Sequence, residues 1–234
     1  MIGPRNTYFS PRRPFYYKMA KRRKESNRCT KDFFNVSCQA LAKSLLGAVL
    51  VRSMEGSVLK GIIVETEAYL GTKDKAAHSY GGHRTERNEA MYMQPGTAYV
   101  YSIYGIHCCF NISSAGEGAA VLIRAVKPLK GIDCMQKHRS IKSKKNQTIK
   151  ALCNGPAKLC NAFKIEKSLN KTNLADSDYI WIEEGNPQEA IVSCPRIGIA
   201  KAQEWVDKDL RFYTIDKSYY VSKRDTEKER ELAM

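Results

Sequence analysis

Two carboxylates and a phenol recur at every second position along Gly61-Ile-Ile-Val-Glu-Thr-Glu-Ala-Tyr-Leu70. The β-branched Ile62, Ile63, Val64 and Thr66 mark the segment as a strand. Side chains alternate along a strand, so Glu65, Glu67 and Tyr69 are expected on one face. Ile62, Val64, Ala68 and Leu70 are expected on the other, which packs on a core. A carboxylate beside an aromatic ring can hold a flat ligand next to a general acid or base. Taken alone, the segment reads more simply as a half-exposed strand with two solvated Glu and a packed Tyr. The residues that follow change that balance.

Between Tyr69 and Asn111 aromatic and polar groups crowd together: Tyr69, His78, Tyr80, Tyr92, Tyr99, Tyr101, Tyr104, Phe110 and Asn111. Arg84 and Arg87 are interleaved with them and are candidate contacts to a nucleic-acid backbone. Aromatic rings stack bases, and Arg neutralises phosphates. Tyr104 falls at the tip of an expected hairpin, before Gly105, where Asn or Asp is usual. A ring there is either a wedge for a base stack or a Tyr folded back on the sheet. Glu65 and Glu67 are one strand step apart, so spacing does not choose between them. Arg124 ends an apolar strand, where it is either solvated or paired with Glu65.

The elements that must carry these groups are legible in outline. Ser37 to Leu46 reads as a helix ended by Gly47. Strands are expected over Ala48–Arg52, Ser57–Leu70, Thr97–Ile103, Ile106–Ser113 and Ala119–Val126, with turns at Met54-Glu-Gly56, Tyr104-Gly105 and Gly116-Glu-Gly118. Such a meander points to an antiparallel sheet. Helices are expected over Lys130–Arg139 and Pro156–Phe163, the second announced by Asn154-Gly155. Ser140–Gln147 reads as a polar, basic surface loop. The reading is one mixed α/β (α+β) domain over residues 31–225. A disordered basic arm (residues 1–30) precedes it, and a charged, frayed tail (residues 226–234) follows.

Composition narrows the partner. The chain has 234 residues, with 39 Lys and Arg against 24 Asp and Glu, a net charge of +15. That balance and a pI near 9.4 point to nucleic acid. No apolar run is long enough to span a bilayer, so no membrane partner is expected. None of the eight cysteines forms a C-x-x-C pair and the four histidines do not cluster with them, so no metal is expected. The thiols read as reduced, mostly buried groups of an intracellular protein. The run Lys21-Arg-Arg-Lys24 suggests the nucleus, with a mitochondrial presequence as the alternative. With no dimerisation element in view, a monomer is expected.

Several ordered motifs resemble the alkyladenine (3-methyladenine) DNA glycosylase family. They are Glu65-Thr-Glu-Ala-Tyr69, Ala76-Ala-His-Ser79, Gly96-Thr97, Tyr99-Val-Tyr101, Tyr104-Gly105, Asn111-Ile-Ser113, Val121-Leu-Ile-Arg-Ala125, Asn154-Gly-Pro-Ala-Lys-Leu159, Arg196-Ile-Gly-Ile199 and Leu210-Arg-Phe-Tyr213. The likeness runs from Phe33 to about Asp225. It implies a curved antiparallel β-sheet flanked by helices, with a β-hairpin carrying an intercalating Tyr. It also implies a cofactor-free enzyme that flips damaged purines from double-stranded DNA and hydrolyses the N-glycosidic bond. By the same resemblance Glu67 is the general base and Arg124 its partner. Tyr69, His78 and Tyr101 stack the base, Asn111 crowds the amine of normal guanine, and Tyr104 is the wedge. The competing reading is a non-catalytic DNA-binding module that senses damaged bases. Intact Glu67 and Arg124 argue against it, since a binder needs neither.

Overall fold

A computed structural model of the protein describes residues 27–54, 56–140, 148–215 and 220–233. The expectations for the arm up to residue 26 and for the loop 141–147 lie outside the described residues. Eight strands form one antiparallel sheet: β1 (Val49–Met54), β2 (Ser57–Tyr69), β3 (Ala98–Ile103), β4 (His107–Ser113), β5 (Ala120–Lys130), β6 (Ile180–Glu183), β7 (Ile191–Cys194) and β8 (Arg211–Thr214). Their order is β3-β4-β5-β2-β1-β6, with β8 also on β2 and β7 on β8. The thirteen residues of β2 make it the spine. One edge pairs with β5 from Lys60 to Tyr69. The other edge pairs with β1 up to Ile62 and with β8 over Glu65–Glu67. This change of partner lets a single sheet curl around the site.

Six α-helices accompany the sheet among the described residues: α1 (Lys31–Phe34), α2 (Cys38–Ser44), α3 (Ile132–Ser140), α4 (Ile149–Leu152), α5 (Pro156–Phe163) and α6 (Thr226–Ala233). Ser37 caps α2 by accepting from the Ala40 N–H, as its position before an apolar run predicts. The helix ends earlier than expected, with Leu45 as its C-cap; Gly47 beyond it has φ +89°, and a Cβ there would sit 2.1 Å from the Asn186 carbonyl oxygen. Pro156 opens α5, and Lys164 closes it in the left-handed region. Leu41, Leu159 and Phe163 from these helices, with the α2 C-cap Leu45, bury against Ile63, Ala68, Phe110, Val121 and Ile123 of the sheet. Each such side chain contributes about 1.5–3 kcal/mol on burial.

Strict alternation along β2 fails at one place, and the site depends on it. The register passes from Ile63–Val126 to Glu65–Ala125 and then to Thr66–Ile123. Val64 is thus an extra residue on β2 and Arg124 an extra residue on β5. Paired bulges of this kind re-aim side chains. Ile63 and Ala68 lie in the main core, whereas Val64 packs with Ala125, Val192, Tyr213 and Ile62 in a second cluster. The expectation that Ile62 and Val64 share a face with Ala68 is therefore corrected. Two further differences concern the end of the chain. The short strands β6, β7 and β8 were not read from the sequence. The segment read as a frayed tail forms helix α6, where Glu229 accepts from the Tyr213 hydroxyl at 2.8 Å.

Candidate active site

Register across the sheet sets one continuous row: Tyr99, Asn111, Leu122, Glu67 and Arg211, on β3, β4, β5, β2 and β8. The neighbouring pairs Tyr101–Cys109 and Tyr69–Ala120 fall on the same face by the period of two. A cleft of about 320 Å³ opens over this face. That is the small end of the ~300–1,000 Å³ usual for ligand sites, suited to one flat heterocycle. Tyr69, His78, Tyr101, Asn111 and Arg124 all line it. The far wall is Pro156 with Ile197, Gly198 and Ile199.

The two carboxylates of β2 are both fully buried but differ in what they have left to offer. Glu65 accepts from Arg124 Nε at 3.0 Å and Arg211 Nη1 at 3.0 Å, and from the Ser222 hydroxyl at 2.7 Å and N–H at 2.6 Å. A carboxylate has about four acceptor sites, and Glu65 already meets four donors, three on Oε1 and one on Oε2. Glu67 Oε1 accepts from the Ile197 N–H at 2.8 Å and lies 3.1 Å from Arg124 Nη1. Its Oε2 accepts from the Tyr69 hydroxyl at 2.9 Å. One acceptor position on Oε2 therefore remains for a further donor. Glu67 also stands directly behind Tyr69, Arg124 and Ile197, which are cleft-lining residues. Geometry thus separates two acids that spacing alone could not.

The cleft holds its own groups in defined protonation states. Burial opposes the charge of Arg124, but Glu67 and Glu65 outweigh it and raise the guanidinium above its ordinary value. Burial, then Glu67, lifts the Tyr69 phenol well above its ordinary value, so it remains a donor to Glu67. Burial also raises Tyr101, and raises Tyr99 to about 12. His78 is lowered by burial and then by Arg87, which favours the neutral ring. Its Nδ1 is 2.8 Å from the Tyr99 hydroxyl, and its ring stands edge-on to Tyr101 with centroids 4.7 Å apart. Asn111 donates through Nδ2 to the Tyr99 carbonyl at 3.1 Å, which fixes its amide plane in the floor.

Not every candidate joins the cleft. Tyr104 projects from the β3–β4 turn, 91% exposed, with φ +51° beside Gly105 at +71°. Arg87 lies at the cleft edge, 5.3 Å over the Tyr101 ring. Arg84 instead forms a two-pronged ion pair with Glu89 and covers Tyr92. Met91 and Cys109 also line the cleft, as do Leu122 and the 197–199 loop, which the family motifs contain without a role. Stepping by two from Asn111 and Arg124 would have found Cys109 and Leu122. The loop gives no periodic signal.

The sequence profile of the Methylpurine-DNA glycosylase (MPG) family matches residues 32–218. The chain is 46% identical over 220 residues to a Homo sapiens protein named DNA-3-methyladenine glycosylase, covering 91% of this chain and 73% of that one. It is 46% identical over 211 residues to the Mus musculus protein of the same name, covering 86% of this chain and 63% of that one. It is 50% identical over 187 residues to a Probable DNA-3-methyladenine glycosylase of Encephalitozoon cuniculi, covering 79% and 88%. With a profile match that takes in the cleft from Glu67 to Arg211 and relatives this similar along most of its length, the chain belongs to the methylpurine-DNA glycosylase family.

Proposed function

We propose that the chain is a monofunctional DNA glycosylase acting on alkylated or deaminated purines in double-stranded DNA, such as 3-methyladenine, ethenoadenine and hypoxanthine. The observation that carries this reading is the acceptor position left on Glu67 Oε2, beside a base-sized aromatic cleft. Tyr104 enters the duplex as the target nucleotide leaves it. Extrusion costs a few kcal/mol, least for a damaged or mispaired base. Stacking on Tyr69, His78 and Tyr101 returns about 1–3 kcal/mol per base. Asn111 crowds the exocyclic amine of normal guanine and so excludes it.

Water bound to Glu67 Oε2 attacks the anomeric carbon as the N-glycosidic bond breaks. The water proton passes to Glu67, the water oxygen bonds to the sugar, and the bonding electrons leave with the base. Positive charge builds on the sugar, as in glycoside hydrolysis, and the buried carboxylate stabilises it. Arg124, in the cleft wall, holds Glu67 in place. A cationic methylated purine departs unaided, whereas a neutral purine needs a ring proton. The remaining basic surface, including Arg87, attracts the duplex backbone. We further propose that the chain works as a monomer in the nucleus. Among the described residues no helix is long and apolar enough to cross a membrane.

The test is single-turnover cleavage of a duplex carrying one ethenoadenine, with chelator present and abasic sites revealed by alkali. Chelator-resistant cleavage by the wild type and its loss in Glu67→Gln support the proposal. Tight binding of ethenoadenine, hypoxanthine and methylpurine duplexes with no cleavage of any would sink it in favour of the damage-sensing binder.

A further inference from the structure

We infer that the buried ion pair between Asp74 and Arg196 is a positioning device for this reaction: it sets the face of Tyr69 and the donor to Glu67, and so governs how a flipped base is held. The inference rests on the glycosylase reading and goes beyond it, to residues outside the cleft lining.

Both side chains are completely inaccessible. Arg196 grips Asp74 with two parallel bonds, Nη1 at 2.6 Å and Nη2 at 2.9 Å. Nη1 also donates to the Ala68 carbonyl at 2.9 Å. Its guanidinium lies 4.7 Å from the centroid of the Tyr69 ring. Asp74 in turn accepts from the Leu70 N–H at 2.9 Å and the Ala76 N–H at 3.0 Å. Three chain segments therefore meet at one ion pair. They are the end of β2 with Tyr69, the 70–78 loop that carries Ala76 and His78 to the cleft, and the 196–199 loop. The residue next to Arg196 is Ile197, whose N–H is on Glu67 Oε1 at 2.8 Å. The Tyr69 hydroxyl is on Glu67 Oε2. Two of the three groups that orient Glu67 are thus placed by Arg196, one by stacking and one by chain adjacency.

The pair serves stability through the Ala68, Leu70 and Ala76 backbone groups it satisfies, but charge pairing as such is not needed for that. Replacing a buried ion pair by apolar groups of similar volume is often neutral or stabilising. What an apolar pair cannot supply is the planar fork that fixes the guanidinium against both a carboxylate and a ring. A misplacement of about 1 Å at a reacting group can cost about 10²-fold in rate.

The experiment compares wild type, Asp74→Leu/Arg196→Met and Arg196→Lys with Glu67→Gln as the inactive reference. Four readouts are taken: melting temperature, affinity for undamaged duplex, single-turnover cleavage of ethenoadenine DNA, and quenching of ethenoadenine fluorescence as the base stacks. The double variant is expected to stay folded and to bind undamaged duplex as wild type does. Its cleavage is expected to fall by about 10²-fold, with weaker quenching. Arg196→Lys keeps the charge but loses the fork, and is expected to fall between the two while still folded, at a melting temperature lowered by the lost hydrogen bonds. Wild-type rate and quenching in either folded variant would overturn the inference while leaving the glycosylase reading intact. A rate loss in Arg196→Lys that only follows a lowered melting temperature, with quenching unchanged, would also overturn it. No cleavage by the wild type would instead remove the reading on which the inference rests.

Discussion

Glu65 and Glu67 share one guanidinium: Arg124 meets the first through Nε at 3.0 Å and the second through Nη1 at 3.1 Å. They are not interchangeable, because Glu65 also supplies the carboxylate for Arg211. Glu67→Gln leaves Arg124 paired with Glu65 and is expected to keep its melting temperature. Its cleavage rate should fall by about 10²–10⁴-fold, the usual worth of a general base. Glu65→Gln leaves Arg124 with Glu67 alone and buries Arg211 without its carboxylate, and is expected to lose about 3–5 kcal/mol of stability. Denaturant melts and oligonucleotide cleavage on both variants check this. Equal cleavage by Glu67→Gln and wild type would move the base elsewhere.

The end of the chain closes the back of this network. Ser222 gives both its hydroxyl and its N–H to Glu65, and Lys223 gives its carbonyl to Arg211 at 2.8 Å. Ser222→Ala removes only the hydroxyl and should cost about 0.5–1.5 kcal/mol. Truncation before residue 220 removes both donors and helix α6 and should cost more than the point variant. Thermal melts rank the three proteins, and a truncated chain as stable as wild type would overturn the expectation.

These relations show where sequence reading reaches and where it stops. Pro156 after Asn154-Gly155, and Ser37 before an apolar run, are local signals, and both helices begin where those signals put them. Tyr69, His78, Tyr101, Asn111 and Arg124 were singled out by type and motif, and they do line one cleft. The bulge at Val64 and Arg124 was not legible, because it is decided by how two strands 59 positions apart in the Glu65–Arg124 pair fit one another. The pairings of Arg196, which lies in a family motif, and of Ser222 escaped for the same reason: their carboxylate partners lie 122 and 157 positions away. The strands β7 and β8 are four residues each, too short for a period to stand out.

Tyr104 is held at φ +51° on an exposed turn. A left-handed backbone costs a non-glycine residue about 1–2 kcal/mol. Glycine relieves that strain but gains freedom in the unfolded chain. Tyr104→Gly is therefore expected to lie between unchanged and about 1 kcal/mol more stable. Its cleavage of ethenoadenine duplex should drop by about 5–150-fold, the worth of one lost stacking contact. A variant both destabilised and fully active would contradict the wedge.

All eight cysteines are free thiols, and only Cys108 and Cys134 are partly exposed. Burial pushes Cys29, Cys153 and Cys194 up to about 12 and Cys38 and Cys109 up to about 11. The thiolate is the reactive form. A thiol-specific chromogenic reagent at mildly alkaline pH should therefore label Cys108 and Cys134 quickly and the rest only after denaturation. Rapid labelling of Cys109 would show the cleft floor to be more open than the geometry described above.

His78 supplies the pH dependence. Burial, and next Arg87, lower its pKa below the ordinary 6.5. The folded chain therefore keeps the ring neutral at pH values where the unfolded chain takes up a proton. Its contribution to stability is full above about pH 6.5 and is lost as pH falls from there through the folded value. The ring nitrogen Nδ1 faces the Tyr99 hydroxyl, and a neutral imidazole leaves one of its two nitrogens able to accept. An NMR titration of the His78 ring should show a midpoint below 6.5. In Arg87→Met the midpoint should rise yet stay below 6.5, because burial is the larger cause and remains. A midpoint above 6.5 in the wild type would mean that the imidazolium has found a partner in the cleft. The stacking face offered to a purine would then be cationic, and neutral lesions would be favoured over positively charged ones.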